Sequence, residues 1–180
     1  MAGARVSELM LALYEGRKDA VDAILARDPK LDVFEAAALG RVERLHDLLD
    51  ADPDSARARY PDTFTPLHFA AFFAQPEAAR LLLERGAEVD AVAAGFSRVT
   101  PLHSAAAAGQ TAIAALLLEH GADPNAVQEG GFTPIHAAAQ NGDAELVRML
   151  LARGADPSGA TDDGRTPLDL AADDEVRRLL

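Results

Sequence analysis

Three histidines stand in one setting: His68 in TPLHFAA, His103 in TPLHSAA and His136 in TPIHAAA, each three residues after Thr65, Thr100 or Thr133. Recurring imidazoles could ligate a metal or serve as bases, because a neutral ring nitrogen does either. The acidic pairs Asp162, Asp163 and Asp173, Asp174 could hold a cation or act as acid and base. The chain has no cysteine, which removes thiolate ligands, cysteine nucleophiles and disulfides and leaves the redox compartment open. Spacing argues against the histidine chemistry. Helices packed side by side lie about 8 to 10 Å apart, whereas zinc needs its nitrogens at about 2.0 to 2.1 Å, so histidines one repeat apart cannot share an ion.

A ring three residues after a capping threonine can instead bond the hydroxyl or the backbone of the first helical turn. Thr65, His68, Thr100, His103, Thr133, His136 and Thr166 are therefore read as structural. The run Asp162-Asp163-Gly164 reads as a turn, with no calcium-loop spacing after it. Gly130 and Gly131 have no phosphate-loop lysine downstream. His46 and His120 fall in or at the ends of second helices, with no carboxylate or nucleophile at a recurrent spacing, and read as surface or capping groups. The expectation is no catalytic constellation, no metal and no cofactor.

The elements that carry these residues repeat. Thr65, Thr100, Thr133 and Thr166 are separated by 35, 33 and 33 residues, and Gly86, Gly121 and Gly154 stand 21 residues after the first three, opening GAEVD, GADPN and GADPS. Threonine can cap a helix and proline suits its first position. Paired small residues follow: Ala70 and Ala71, Ala105 and Ala106, Ala138 and Ala139. Gly109 or Gly142 ends that helix, and a second helix shows apolar residues at helical spacing, as in Ala79, Leu82, Leu83 or Ile113, Leu116, Leu117. The unit is helix, turn, helix, projecting loop. With 49% hydrophobic residues, mostly Ala and Leu, and only 5% aromatic, the fold class is all-α.

The opening T-P-L-H-x-A-A at 65 to 71, 100 to 106 and 133 to 139, with the closing G-A-D-x-N at 121 to 125, resembles the ankyrin repeat. Degenerate copies extend the resemblance: Phe34, Ala36, Ala37, Gly40, Leu48 and Leu49 fit a unit beginning at Leu31, and Ala12, Gly16, Val21, Ile24 and Leu25 fit one beginning at Ser7. The resemblance implies an ankyrin-repeat solenoid of about six stacked helix pairs with projecting loops or β-hairpin fingers. It would form a single domain over 1–180, with units starting near 7, 31, 65, 100, 133 and 166. The first and last would act as caps. The first lacks a long loop, and the last has shortened helices and Asp169 in place of the histidine. In the family these histidines tie successive units together by hydrogen bonds.

What the resemblance implies for function is a non-catalytic module that binds a protein partner on its concave inner-helix and finger surface. Family offsets place Tyr14, Leu39, Phe72, Phe73, Gln140 and Asn141 on that face, apolar in its first half and polar in its second. Tyr60, Phe64, Phe69, Phe72 and Phe73 fall within fourteen residues. Phe69 is assigned to the core, and Phe64, Phe72 and Phe73 to binding, the alternative being that they fill space under the loop 50–64. The loop before Thr100 is two residues longer than its neighbours and carries Phe96 near its tip, while other tips carry Glu129, Asp162 and Asp163. These suggest a partner with an apolar segment beside a basic one, bound by a monomer or a weakly self-associating chain.

A formal charge of −12 without a basic block excludes nucleic acid and anionic membranes as expected partners. The run LMLAL near the N-terminus is too short for a signal peptide. Residues 99 to 118 lack charge but contain too many polar residues for a membrane span. A soluble, cytoplasmic protein is expected, and two Lys against fifteen Arg with abundant Ala points to a GC-rich bacterial genome. Two alternatives stay open: an acidic inhibitor or immunity-type protein that blocks a basic toxin or enzyme, and a regulatory subunit or enzyme with an acidic pocket. A charge-steered inhibitor would associate more slowly as salt rises, whereas an enzyme would show a ligand or metal in a thermal-shift screen.

Overall fold

The computed structural model describes residues 6–60, 63–93 and 97–180. Among them the helices follow two at a time: α1 (Glu8–Tyr14) and α2 (Lys18–Leu25), α3 (Val33–Ala38) and α4 (Val42–Ala51), α5 (Pro66–Phe72) and α6 (Pro76–Glu84), α7 (Pro101–Ala107) and α8 (Thr111–Glu119), α9 (Pro134–Gln140) and α10 (Ala144–Ala152), α11 (Pro167–Leu170) and α12 (Asp174–Leu179). None of these helices is long and apolar enough to cross a membrane.

Each first helix begins on a residue that can satisfy its free N–H groups. Ser7 Oγ accepts from the Met10 N–H at 3.1 Å. Asp32 and Glu35 form a reciprocal capping box, Asp32 Oδ1 accepting from Glu35 N at 2.8 Å and Glu35 Oε2 from Asp32 N at 3.0 Å. Asp32, the cap of α3, directly follows the Leu31 from which the sequence counts this unit. Thr100 and Thr166 hydroxyls accept from the N–H three residues on. At Thr65 and Thr133 that N–H bonds the threonine carbonyl instead, at 3.0 Å in both cases, and the hydroxyl turns to the histidine ring. Proline occupies the first position of α5, α6, α7, α9 and α11.

The small residues decide the packing. Ala36, Ala37, Ala70, Ala71, Ala105, Ala106, Ala138, Ala139 and Ala171 are all buried, so the first helices approach closely: α3 packs on α5, α5 on α7, α7 on α9 and α9 on α11. The second helices stack behind them from α4 through α12 and bury Leu45, Leu49, Ala79, Leu82, Ile113, Leu117, Leu146, Leu150 and Val176. One continuous core runs from Val33 to Val176. A separate aromatic cluster gathers Met10, Ala38, Tyr60 and Phe69, flanked by Leu13, Phe34, Phe64 and Phe73.

The loops between pairs close through backbone bonds at their tips. Tyr60 N–H donates to Phe64 O, Gln128 to Phe132 O and Thr161 to Arg165 O, at 2.8 to 2.9 Å. Ala93 N–H donates to Val99 O, the same closure with two residues more. Beyond that isolated bridge no strand forms among the described residues. Neighbouring tips are themselves joined, Glu129 N–H to Ser97 O and Asp162 N–H to Gly130 O. The approach is tight: a Cβ on Gly131 would lie 2.8 Å from the Asp162 nitrogen.

The turn from first to second helix needs a left-handed residue. Gly40, Gly109 and Gly142 supply it at φ 63°, 66° and 70°, but the corresponding position after α5 is Ala74, at φ 61°. An L-residue there costs about 1 kcal/mol or more. Substituting Ala74→Gly is expected to raise unfolding stability by about 1 kcal/mol. Gly109→Ala, where the added methyl meets nothing within 4 Å, should lower it by a similar amount. Urea denaturation with an unchanged m-value checks both, and a null or reversed effect of either substitution would contradict the assignment of cost to backbone conformation.

Candidate functional site

The recurrent histidines are buried and each joins two units. Thr65 N–H donates to His68 Nδ1 at 3.1 Å, with Thr65 Oγ1 2.8 Å from the same nitrogen. Across the ring, Nε2 lies 3.0 Å from the Val99 carbonyl of the next loop. Because an amide N–H only donates and a carbonyl only accepts, the ring is neutral with its proton on Nε2. His103 repeats the arrangement with Thr100 N at 3.3 Å, Thr100 Oγ1 at 2.9 Å and Phe132 O at 3.4 Å. His136 takes Thr133 N at 3.2 Å and Oγ1 at 2.9 Å. Its Nε2 is buried without a partner at hydrogen-bond distance, although the Arg165 carbonyl, at the matching place, still favours its proton electrostatically. In the last unit Asp169 accepts from Thr166 N at 2.9 Å and Oγ1 at 2.7 Å, which holds its carboxyl below the usual range.

A second tie between units, not read from the sequence, lies in the G-A-D-x-N segments. Asp90 Oδ1 accepts from Asp123 N–H at 3.1 Å, and Asn125 Oδ1 accepts from Asp156 N–H at 2.8 Å while its amide donates to Gly154 O at 2.8 Å. The available signal was the shared offset of the two acceptors, Asp90 and Asn125 each standing four residues after Gly86 or Gly121. Away from these ties, His46 faces Asp50 at 3.1 Å, and His120 Nδ1 donates to Leu116 O at 2.9 Å.

On the inner face a cleft of about 200 Å³ opens between α5 and α7. Phe64, Phe69, Phe72 and Ala107 line it, Tyr14 forms one wall, and Val99 and Gln128 come from the adjoining loops. Val99 and the buried Ser104, also in its lining, were not singled out by sequence reasoning. The His68 and His103 rings border the cleft with both nitrogens engaged. The space slightly exceeds the roughly 150 Å³ apolar cavity that holds a benzene molecule, so one aliphatic or aromatic side chain fits.

The aromatic residues divide around this cleft. Phe69 is fully buried, Phe64 and Phe73 are half-buried, and Phe72 and Tyr14 keep 43% and 45% of their surface exposed. Rings touch edge to face: Phe72 to Phe73 at 5.2 Å, Tyr60 to Phe69 at 5.4 Å, Tyr14 to Phe73 at 5.5 Å. The cleft thus brings Tyr14, Phe64 and Phe72 together, with Phe73 behind them. Leu39 is half-buried and Gln140 exposed, neither in the cleft lining. Asn141 is committed elsewhere, its amide donating to Ala106 O at 3.0 Å and Ala107 O at 3.3 Å. Glu129 and Asp162 are exposed at their tips, whereas Asp163 accepts from Thr161 Oγ1 at 2.5 Å and pairs with Arg165 at 2.8 Å. Phe96 lies outside the described residues.

Side-by-side helix hairpins with interlocked loops and an open inner face define a helical repeat solenoid. The chain belongs to the ankyrin repeat family: a family model for three ankyrin repeats matches residues 9–128, and a second ankyrin repeat model matches 117–171. Ankyrin repeats generally mediate protein–protein interaction. A similar stretch occurs in a rice protein (Oryza sativa subsp. japonica) described as probable E3 ubiquitin-protein ligase XBOS31, 43% identical over 63 residues. That stretch is 34% of this chain and 14% of the relative.

Burial lowers the proton affinity of all three rings, His68 to about 4 from an ordinary 6.5, and His103 and His136 in the same direction. A proton on Nδ1 would face the threonine N–H. Since the unfolded chain binds these protons first, stability is full above about pH 6.5 and falls as pH drops toward 4. For His68 alone the loss is on the order of 3 kcal/mol. Unfolding free energies measured from pH 7 to pH 4.5 should show His68→Gln less stable at pH 7 yet with a shallower decline than the parent. Parallel profiles would refute the linkage.

Proposed function

We propose that the chain is a non-catalytic protein-binding module whose partner seats on the inner face, anchoring one apolar side chain in the cleft between α5 and α7. The observation that carries this reading is Phe72, nearly half exposed beside an apolar cleft walled by other rings. Burying such rings against a partner contributes roughly 1.5 to 3 kcal/mol each, and contiguous exposed apolar surface marks interaction sites. Glu129 and Asp162 at neighbouring tips favour basic residues beside the anchor. Asp163, already paired with Arg165, contributes less. Residues 1–180 are read as one array with units starting near 7, 31, 65, 100, 133 and 166, the first and last serving as caps.

Ala107→Glu places a carboxylate in the cleft from a position already in contact with solvent. In affinity capture from the source organism followed by quantitative mass spectrometry, this variant should recover the specific partner at least tenfold less than the parent. Charge reversal at Glu129 and Asp162 should weaken capture mainly at low salt. Undiminished capture by a folded Ala107→Glu chain would reject the cleft as the anchor site.

A further inference from the structure

The N-terminal pair does not stack as the other pairs do. From α3 onward each first helix packs on the next and each second helix on the next, but no packing of that extent joins α1 to α3 or α2 to α4. Instead Tyr14 at the end of α1 reaches α5, two units along, with its ring 6.2 Å from Phe69, 6.2 Å from Phe72 and 5.5 Å from Phe73. At the other end of α1, Ser7 N–H donates to the Tyr60 hydroxyl at 3.0 Å, and Met10, fully buried, joins Tyr60, Phe69 and Ala38. The small Ala38 leaves room for this crossing. Tyr14 also walls the same cleft as Ala107 and Gln128, so the C-terminal end of α1 reaches over the inner face.

The contacts of α1 have a definite pattern. Met10, Leu13 and Tyr14 meet the aromatic layer, an i, i+3, i+4 stripe of the kind a helix presents to a groove, while Leu9 and Ala12 are buried outside that layer. No residue of α2 is fully buried, and the layer that holds α1 is separate from the main core of Val33 to Val176. Phe34 borders both clusters.

We propose that the aromatic half of the inner face is a receptor for an amphipathic helix bearing apolar residues at i, i+3 and i+4, and that α1 fills it from within the same chain until a partner's helix of that kind displaces it. The proposal rests on the reading that the inner face binds protein, and it names the partner's chemistry: the incoming helix replaces Tyr14 as the wall of the cleft, whose other lining residues, Phe64, Phe69, Phe72 and Ala107, stay in place. A tethered occupant acts at an effective concentration in the millimolar range, so a partner binds in proportion to the fraction of time α1 is away.

The probe is a fluorescein-labelled peptide of residues 7–26, added to the full chain. Met10→Asp puts an unpaired carboxylate into the aromatic layer and should unseat α1, leaving the groove open. The folded Met10→Asp chain should then bind the peptide at least tenfold more tightly than the parent, and a peptide carrying Asp at positions 10 and 14 should not bind. Tyr14→Ala, at a half-exposed site, is the milder second variant and should bind the peptide several-fold better than the parent. Hydrogen exchange on the parent should show the α1 amides opening before those of α5 and α7. Absence of peptide binding by both folded variants, equal binding of the two peptides, or α1 protection equal to that of α5 would each overturn the proposal. These outcomes leave the Ala107→Glu capture result standing, so failure of the helix receptor is distinguishable from failure of the binding surface itself.

Discussion

No helix pair in this chain possesses an interior. Two short helices of seven to nine residues, such as α5 and α6, cannot bury enough apolar surface to offset the entropy of ordering them. Each pair becomes stable only by lending a face to its neighbour. The requirement explains the alanines: a larger residue at Ala71 or Ala106 would push the first helices apart and open the core along its length. It also explains why a single contiguous cluster runs from Val33 to Val176.

Stacking creates a polar problem and the threonine–histidine pair resolves it. Placing loops over the ends of the first helices buries N–H and C=O groups that water would otherwise satisfy. One imidazole answers both sides, its Nδ1 accepting from its own threonine and its Nε2 facing a carbonyl of the following loop. The bridge lengthens along the chain, from 3.0 Å at His68 to 3.4 Å at His103, and at His136 no partner lies within bonding distance. In the following unit Asp169 makes the intra-unit half of the device, accepting from Thr166 N–H and Oγ1.

The inner face is correspondingly uneven. Its C-terminal half consumes polar side chains internally, with Asn141 capping α7 and Asp163 paired with Arg165. Its N-terminal half holds an aromatic layer that exceeds what the stack itself requires, and α1 and the cleft beside it share that layer. Surface of this kind is costly to leave exposed. α1 covers part of it.

The repeat period, the capped starts of the first helices and the alanine faces were legible in the residues themselves, because each depends on local geometry and recurs at 33. Of the aromatic residues on one unit, Phe69 was assigned to the core and Phe64, Phe72 and Phe73 to binding; the structure buries Phe69, leaves Phe72 open and half-buries Phe64 and Phe73. The Asp32–Glu35 box and the Asp90 and Asn125 ties passed unread, although the D-x-x-E spacing and the shared offset of Asp90 and Asn125 from Gly86 and Gly121 marked them. What sequence alone determined is therefore everything set within a unit and copied: hairpin, cap, turn and the face each hairpin must bury. Only the tertiary structure decided where α1 lies and which rings stay open, because those depend on contacts between units that are unlike one another, where periodicity has nothing to repeat.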